Sequence, residues 1–184
     1  TRMREYIRAL KAIFDCWQNG TKLDFRGDYY RHTLMTPMFN PGPLDCSVPP
    51  VLLGALGPRM TEVAGEAADG LIVHPFNSMP FLEDHALPAV QRGLEKSGRS
   101  REDFLLQINA IVITGETEAE REAATQSVKS LLGFYASTPA YRPPMDAIGC
   151  GDLQPELNRL SKEGRWDELG AHIDDSFLDA FTTR

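Results

Sequence analysis

Cysteine is scarce in this sequence of 184 residues, which contains only Cys16, Cys46 and Cys150. The three are odd in number, lie far apart and form no CxxC pair, so neither a disulfide framework nor a zinc site is expected. Histidine is also sparse, and no two of the 4 histidines stand at a metal-ligand spacing with a carboxylate. We therefore expect no metal, and a reducing cytoplasm as the compartment.

Basic charge and long apolar runs are also lacking. The chain has 19 Lys and Arg against 26 Asp and Glu, for a net charge of -7, whereas nucleic-acid binders need basic faces. No apolar run approaches the roughly 18 residues of a membrane span. The opening TRMREYIRAL lacks the apolar centre of a signal peptide. The expected partner is a small-molecule substrate, with no nucleic acid and no membrane.

Apolar spacing predicts alternating strands and helices. Residues 51–55 and 71–74 are short apolar runs typical of buried parallel strands. Gly57-Pro58 is a typical helix start, because a proline in the first turn loses no hydrogen bond. Pro88 is expected to kink or split its helix. The same criteria predict helices at 3–17, 59–68, 79–97, 117–136 and 152–180, a strand at 104–114, a hairpin at 22–35 and a proline-rich loop at 36–50.

The stretch PPVLLGALGPRMTEVAGEAADGLIVHPF, residues 49–76, has the outline of a βαβ unit with glycines in its first turn. Glycine lets backbone N–H groups approach a ligand closely. The first N–H groups of a helix lack internal partners and lie at the positive end of its dipole. Gly54 and Gly57 thus favour a phosphate. The alternative is that they only permit a tight turn, since GALGP matches neither the Walker nor the Rossmann pattern.

Three strands, each followed by helix, indicate a parallel α/β sheet. A complete (β/α)8 barrel needs about 250 residues, and three strands cannot close one. The chain also begins inside a predicted helix without an initiator Met. We expect residues 1–184 to be the C-terminal half of a single TIM-barrel domain, with a hairpin and loop excursion at 22–50 and a helical excursion at 137–184.

The stretch at 49–76 resembles the cofactor-binding βαβ unit of the luciferase-like flavin and deazaflavin oxidoreductases. Members read approximately P-V-x-(I/L)-(A/G)-A-x-G-P-x-M-x-x-x-A-G-x-x-A-D-G, an order that this chain follows. FYASTPAYRP (134–143) and IDDSFLDAF (173–181) are similar to the subgroup that uses coenzyme F420, a deazaflavin hydride carrier. The resemblance implies a barrel of the bacterial luciferase type, with the catalytic acid or base in a front half outside this sequence.

The resemblance also implies roles for matching positions. Some relatives have two adjacent glycines where this chain has Leu56-Gly57, so Leu56 can serve only without a positive φ. His74 takes the place of a polar residue that faces the pocket, and Phe76, Tyr141 and Arg142 complete the expected substrate pocket. The turn that holds the cofactor's phosphate side chain corresponds to Gly54, Ala55, Leu56, Gly57, Pro58 and Arg59.

Each candidate also has a purely structural explanation. His74 is either a strand-end histidine satisfied by the backbone, or a group that donates a hydrogen bond or shuttles a proton. A helix break is surrounded by Tyr135, Ser137, Tyr141 and Arg142, which either pack there or, through Arg142, pair with an anion. Arg59 either adds charge at the phosphate or points to solvent.

The function expected from the resemblance is hydride transfer between coenzyme F420 and a small organic substrate. One alternative is a monooxygenase that uses reduced FMN on the same scaffold. The other is a non-catalytic barrel relative that acts as a binding or assembly module. An exposed sheet edge in such a protein would invite a homodimer.

Overall fold

Helices alternate with short strands in the computed structural model, which describes residues 1–183. Two compact units are present: Thr1–Ile72 with Ala89–Gln107, and Val73–Pro88 with the chain from Ile108 onward. The helices are α1 (Arg2–Asn19), α2 (Pro58–Ala67), α3 (Met79–Phe81), α4 (Leu87–Ser97), α5 (Glu118–Ala136), α6 (Arg142–Asp146), α7 (Gln154–Lys162) and α8 (Asp175–Phe181). The strands are β1 (Phe25–Arg26), β2 (Arg31–His32), β3 (Leu52–Gly54), β4 (Gly70–Val73), β5 (Leu105–Ile108), β6 (Ile111–Val112) and β7 (Thr182–Thr183).

The predicted hairpin is present in the first unit. β1 pairs with β2 in antiparallel register. The Glu5 carboxylate of α1 accepts hydrogen bonds from the N–H groups of Asp28, Tyr29 and Tyr30 at 3.0, 2.6 and 2.6 Å. Those three bonds tie the hairpin turn to the helix. α1 ends at Gly20, whose φ of 68° is the left-handed conformation that favours glycine.

The βαβ unit predicted from residues 49–76 is also present. β3 and β4 are parallel and pair from Leu52–Gly70 to Gly54–Ile72, with α2 between them in sequence. The sheet order is β3-β4-β5. α2 and α4 lie close together because Gly65 and Gly93 have no side chain. A Cβ on either would overlap the backbone of the opposite helix.

The second unit has a core of buried side chains contributed mainly by helices. α5 begins with a capping box: the Thr117 side chain accepts from Glu120 N–H, and the Glu120 carboxylate accepts from Thr117 N–H. β6 pairs with β7 in parallel register. The fully buried core side chains include Phe76, Leu132, Met145, Leu157, Leu160, Leu169, Phe177 and Leu178.

Three predicted elements are divided in the structure. The helix expected at 79–97 is split near Pro88, as the sequence analysis allowed: a π-helical turn at Leu82–Ala86 directly precedes α4, and the Leu87 N–H donates to Leu82 O. Pro88 is then the second residue of α4, where its missing N–H costs little. The strand expected at 104–114 is interrupted between β5 and β6, and 152–180 is divided into α7, a 3-10 turn and α8.

None of the helices among residues 1–183 is both long enough and apolar enough to cross a membrane.

Candidate functional site

The turn after β3 presents the start of a helix that has no side-chain cap. Gly57 is the N-cap residue of α2, with φ -72° and ψ 146°, and Pro58 follows as the first helical residue. The Gly57 carbonyl accepts from the N–H groups of Met60 and Thr61 at 3.1 and 3.0 Å. In the described part of the chain, no partner is recorded for the N–H groups of Leu56, Gly57 and Arg59. These donors are available to a ligand.

Neither backbone conformation nor packing within the protein requires glycine at the two glycine positions of this turn. A Cβ added at Gly54 or Gly57 meets no atom within 4 Å, and neither residue has a positive φ. Gly65 and Gly93, by contrast, are required by helix packing. No non-glycine residue in 1–183 has a positive φ, so Leu56 satisfies the condition set for it. Because residues 54 and 57 have no side chains, the space beside the turn stays open for a ligand.

Charge at this turn favours an anion. The first turn of α2 contains no acidic residue, and Gly54, Gly57, Pro58 and Arg59 are all exposed. Arg59 has no ion-pair partner among the residues that the structure describes. The positive end of the helix dipole and the Arg59 guanidinium thus add to the free N–H donors.

His74 follows β4 and uses both ring nitrogens. The Phe76 backbone N–H donates to Nδ1 at 3.1 Å, and the Tyr141 hydroxyl lies 3.2 Å from Nε2. Burial lowers the pKa of His74 below its ordinary value, because a desolvated site disfavours the imidazolium. The Phe76 N–H also requires a lone pair on Nδ1, so this contact and the burial both favour the neutral imidazole.

Two tyrosines hold this imidazole. Tyr141 stacks on His74 with centroids 4.7 Å apart, and Tyr135 meets His74 edge-on at 5.0 Å. We call His74, Tyr135 and Tyr141 the ring cluster. Phe76 is fully buried and stacks on Phe181 with centroids 4.3 Å apart. That burial gives Phe76 a packing role, and its direct contact with a substrate stays a prediction.

Arg142 is engaged elsewhere. Its Nε lies 3.2 Å from Asp146 Oδ1, and its Nη2 lies 3.5 Å from Asp152 Oδ1. Exposed pairs of this kind contribute roughly 0.2–1 kcal/mol, so they do not prevent Arg142 from exchanging one anion for another. A role for Arg142 in substrate binding stays a prediction.

The sequence profile of the family described as "Luciferase-like monooxygenase" matches residues 1–183. The chain belongs to this family. The resemblance drawn from residues 49–76 is thereby confirmed, and the luciferase-like relatives of the chain include F420-dependent enzymes. An F420-dependent glucose-6-phosphate dehydrogenase of Nakamurella multipartita is 33% identical over 184 residues, covering 94% of this chain and 50% of that protein. A 5,10-methylenetetrahydromethanopterin reductase of Archaeoglobus fulgidus is 22% identical over 182 residues, covering 98% and 52%.

A higher identity links this luciferase-like chain to an uncharacterized protein of Mycobacterium tuberculosis, at 48% over 180 residues, covering 98% of this chain and 53% of that protein. The chain thus spans about half the length of the relatives it matches. Among solved structures, the coenzyme F420 dependent tetrahydromethanopterin reductase from Methanopyrus kandleri superposes with a TM-score of 0.71 at 20% identity, over 97% of this chain and 50% of that one. At that identity the match shows the α/β luciferase-like fold alone.

Two residues in the turn after β4 escaped the sequence reasoning. The buried Ser78 hydroxyl donates to Pro144 O at 3.2 Å and ties this turn to α6. Its position before Met79-Pro80 was the available signal, because Ser is a preferred N-cap and Pro is favoured in a first turn. Asn77 Oδ1 is buried and accepts no hydrogen bond within residues 1–183. The luciferase-like chain therefore leaves one buried acceptor unsatisfied in this turn.

Metal ligands are not assembled in the described residues: no group of three or more His, Cys, Asp or Glu is placed to hold an ion.

Proposed function

We propose that this chain is part of an oxidoreductase that transfers a hydride between coenzyme F420 and a small organic substrate. The observation that carries the proposal is the turn after β3, where Gly54 and Gly57 have open space and the start of α2 has no side-chain cap. The names of the Nakamurella relative and of the structural neighbour, both of which state dependence on F420, support the choice of cofactor.

The residues of the turn fit the phosphate side chain of such a cofactor. Leu56, Gly57 and Arg59 would donate backbone N–H groups to phosphate oxygens, and the Arg59 guanidinium would add positive charge. Pro58 would keep the start of α2 in shape, since it fixes φ at the first helical position, and Ala55 would contact the cofactor as part of the same turn. The cofactor, when bound, supplies the hydride chemistry, and the protein supplies position and electrostatics.

We also propose, as the wider setting, that these strands belong to a (β/α)8 barrel of which residues 1–184 form the C-terminal part of one domain. The match to half of a longer solved structure supports a part of such a domain, and the assignment to its C-terminal part rests on the motif resemblance. A cytoplasmic location, a small-molecule substrate and a possible homodimer remain part of the proposal. Cys16, Cys46 and Cys150 are free thiols, in keeping with a reducing compartment.

A monooxygenase that uses reduced FMN is the second candidate, because the description of the matching family names that activity. Both cofactors carry a phosphate, so the turn after β3 serves either. The ring system, not the phosphate, separates the two candidates.

The test is a fluorescence titration of the complete protein with coenzyme F420 and, separately, with FMN. The variants Gly57→Asp and Gly57→Asn form a matched pair, since both side chains cap a helix well but only aspartate is charged. We expect F420 to bind in preference to FMN. Gly57→Asp should weaken F420 binding about a hundredfold, because like charges at a desolvated contact cost several kcal/mol. Gly57→Asn should weaken it about tenfold, by occupying a donor.

Other outcomes decide between the alternatives. Preference for FMN with the same variant pattern would move the function to the monooxygenase. Binding of neither cofactor would favour a non-catalytic relative that serves as a binding module. If both variants bind F420 as the unmodified protein does, the phosphate of the cofactor does not bind at this turn.

A further inference from the structure

The two hydrogen bonds of His74 fix where its proton is. The Phe76 backbone N–H can only donate, so Nδ1 must present its lone pair at the observed 3.1 Å. A neutral imidazole with a bare Nδ1 carries its proton on Nε2. The Nε2–H therefore donates to the Tyr141 oxygen 3.2 Å away. The reverse polarity would leave both nitrogens as acceptors, which requires an imidazolate and is not accessible at neutral pH.

This direction of the hydrogen bond leaves the Tyr141 O–H available as a donor. Because the Tyr141 oxygen accepts from His74, its own hydrogen has no use in that bond. Within the described residues, the Tyr141 hydroxyl has no hydrogen-bond partner other than His74. Both rings are partly exposed, so the hydroxyl proton is available to a ligand that brings an acceptor.

The aromatic packing holds the hydroxyl in place. Tyr141 stacks on His74 at an interplanar angle of 28°, and Tyr135 stands edge-on to Tyr141 at 88°. These contacts restrict the rotation of the Tyr141 ring, and such aromatic pairs prefer the observed geometries. The donor is therefore held in a fixed position before a ligand arrives, which reduces the entropy lost on binding.

We propose that Tyr141 is the substrate-binding donor of this site, and that it selects substrates presenting an oxygen acceptor such as a carbonyl or carboxylate. His74 is a positioning residue that orients the Tyr141 hydroxyl and polarises it by donating to its oxygen. The proposal rests on the proposed function for its assignment to substrate. It excludes a role for His74 as the proton donor to substrate in this arrangement, because the Nε2 proton is already used.

The first measurement is nuclear magnetic resonance of the complete protein labelled at its histidine ring nitrogens, with His74→Gln to assign the signal. We expect His74 to show an unprotonated Nδ1 and a protonated Nε2 at neutral pH. A protonated Nδ1 would overturn the proposal, because Tyr141 would then donate to His74. This readout needs no cofactor and no substrate.

The second measurement uses the His74 signal to follow two probes, acetate and dimethylacetamide, which carry oxygen acceptors and no donor. Tyr141→Phe should weaken the binding of acetate about tenfold or more, since the hydrogen bond to a charged acceptor is lost. Tyr135→Phe is the matched control, because its hydroxyl makes no bond to His74, and it should change the affinity less than about twofold. Equal losses in both variants, or no response to either probe at the highest soluble concentration, would overturn the proposal.

The failures of the two proposals are distinguishable. Absence of F420 binding, with the nitrogen signals and probe affinities as expected, would remove the oxidoreductase and leave a donor site for oxygen acceptors. F420 binding with a protonated Nδ1 would leave the oxidoreductase and remove the role of Tyr141.

Discussion

The turn after β3 and the turn after β4 differ in what they offer a ligand. The first offers backbone: free N–H groups, two glycines with open space and one exposed arginine. The second offers side chains, held by stacking and by a hydrogen bond to Tyr141. A backbone site depends on residues that contribute nothing to packing, whereas a side-chain site depends on the core that supports it. Substitutions should therefore separate binding from stability at the first turn and couple them at the second.

The largest expected effect is at the core residue of the second turn. Phe76→Ala should lower the free energy of unfolding by about 3–5 kcal/mol, because it removes a fully buried ring and leaves a cavity. Urea denaturation of the complete protein measures this. The control is Phe39→Ala, at a ring that is 72% exposed, with an expected change within about 0.5 kcal/mol. Equal losses would contradict the core assignment.

Next is a test of the two kinds of glycine. Gly93→Ala should destabilise by about 1–3 kcal/mol, because its methyl group would overlap the backbone of α2. Gly54→Ala, with nothing within 4 Å of its Cβ, should be neutral or stabilising by about 0.4–1 kcal/mol. Thermal unfolding of both variants gives the comparison. A loss at Gly54 as large as that at Gly93 would show that the fold itself requires glycine there.

A smaller effect sharpens the contrast at Gly57. Gly57→Asn should raise the free energy of unfolding of the cofactor-free protein by a few tenths of a kcal/mol, since asparagine is a better N-cap than glycine. The same variant should reduce the stabilisation that F420 gives. Unfolding midpoints with and without cofactor measure both changes. If Gly57→Asn raised both the stability of the cofactor-free protein and its affinity for F420, or lowered both, a binding site made from backbone N–H groups would be contradicted.

The smallest expected effect is the pH dependence of the ring cluster. Burial holds the pKa of His74 below its ordinary value. The unfolded chain therefore takes up a proton first as the pH falls below about 6.5, and stability decreases from about pH 7 toward pH 5. His74→Gln should flatten this slope, and His32→Gln, at an exposed position, should not. The measurement is the free energy of unfolding of both variants between about pH 7 and pH 5. The same slope in His74→Gln as in the unmodified protein would show that His74 does not contribute.

Local signals in the sequence predicted much of this fold. The helices predicted at 3–17 and 117–136 correspond to α1 and α5, and neighbours in sequence mark their ends: the Thr117–Glu120 capping box begins α5, and Gly20 ends α1. The βαβ unit around α2 followed from apolar runs and Gly57-Pro58. These signals are carried by residues that lie near one another in sequence.

Features set by distant residues were not predictable in this way. The bond between His74 and Tyr141 joins residues 67 positions apart, and no periodicity encodes it. The π-helical turn before Pro88 reflects a choice between two ways of accommodating proline, and apolar spacing is blind to that choice. One missed signal was local: Gly164, with φ 74°, follows the end of α7 at a point where spacing alone predicted continued helix.

The uncapped start of α2 has a consequence for the stability of the protein and its abundance in the cell. Under the proposed function, a phosphate replaces water at the exposed N–H groups that begin α2, so the ligand completes the helix start and adds to the stability of the fold. Stability then rises with the logarithm of free cofactor above its dissociation constant, by about 2.7 kcal/mol at a hundredfold excess. Under the proposed function, a cell short of cofactor would carry a larger unfolded fraction of this protein, and proteolysis would match its abundance to the cofactor supply.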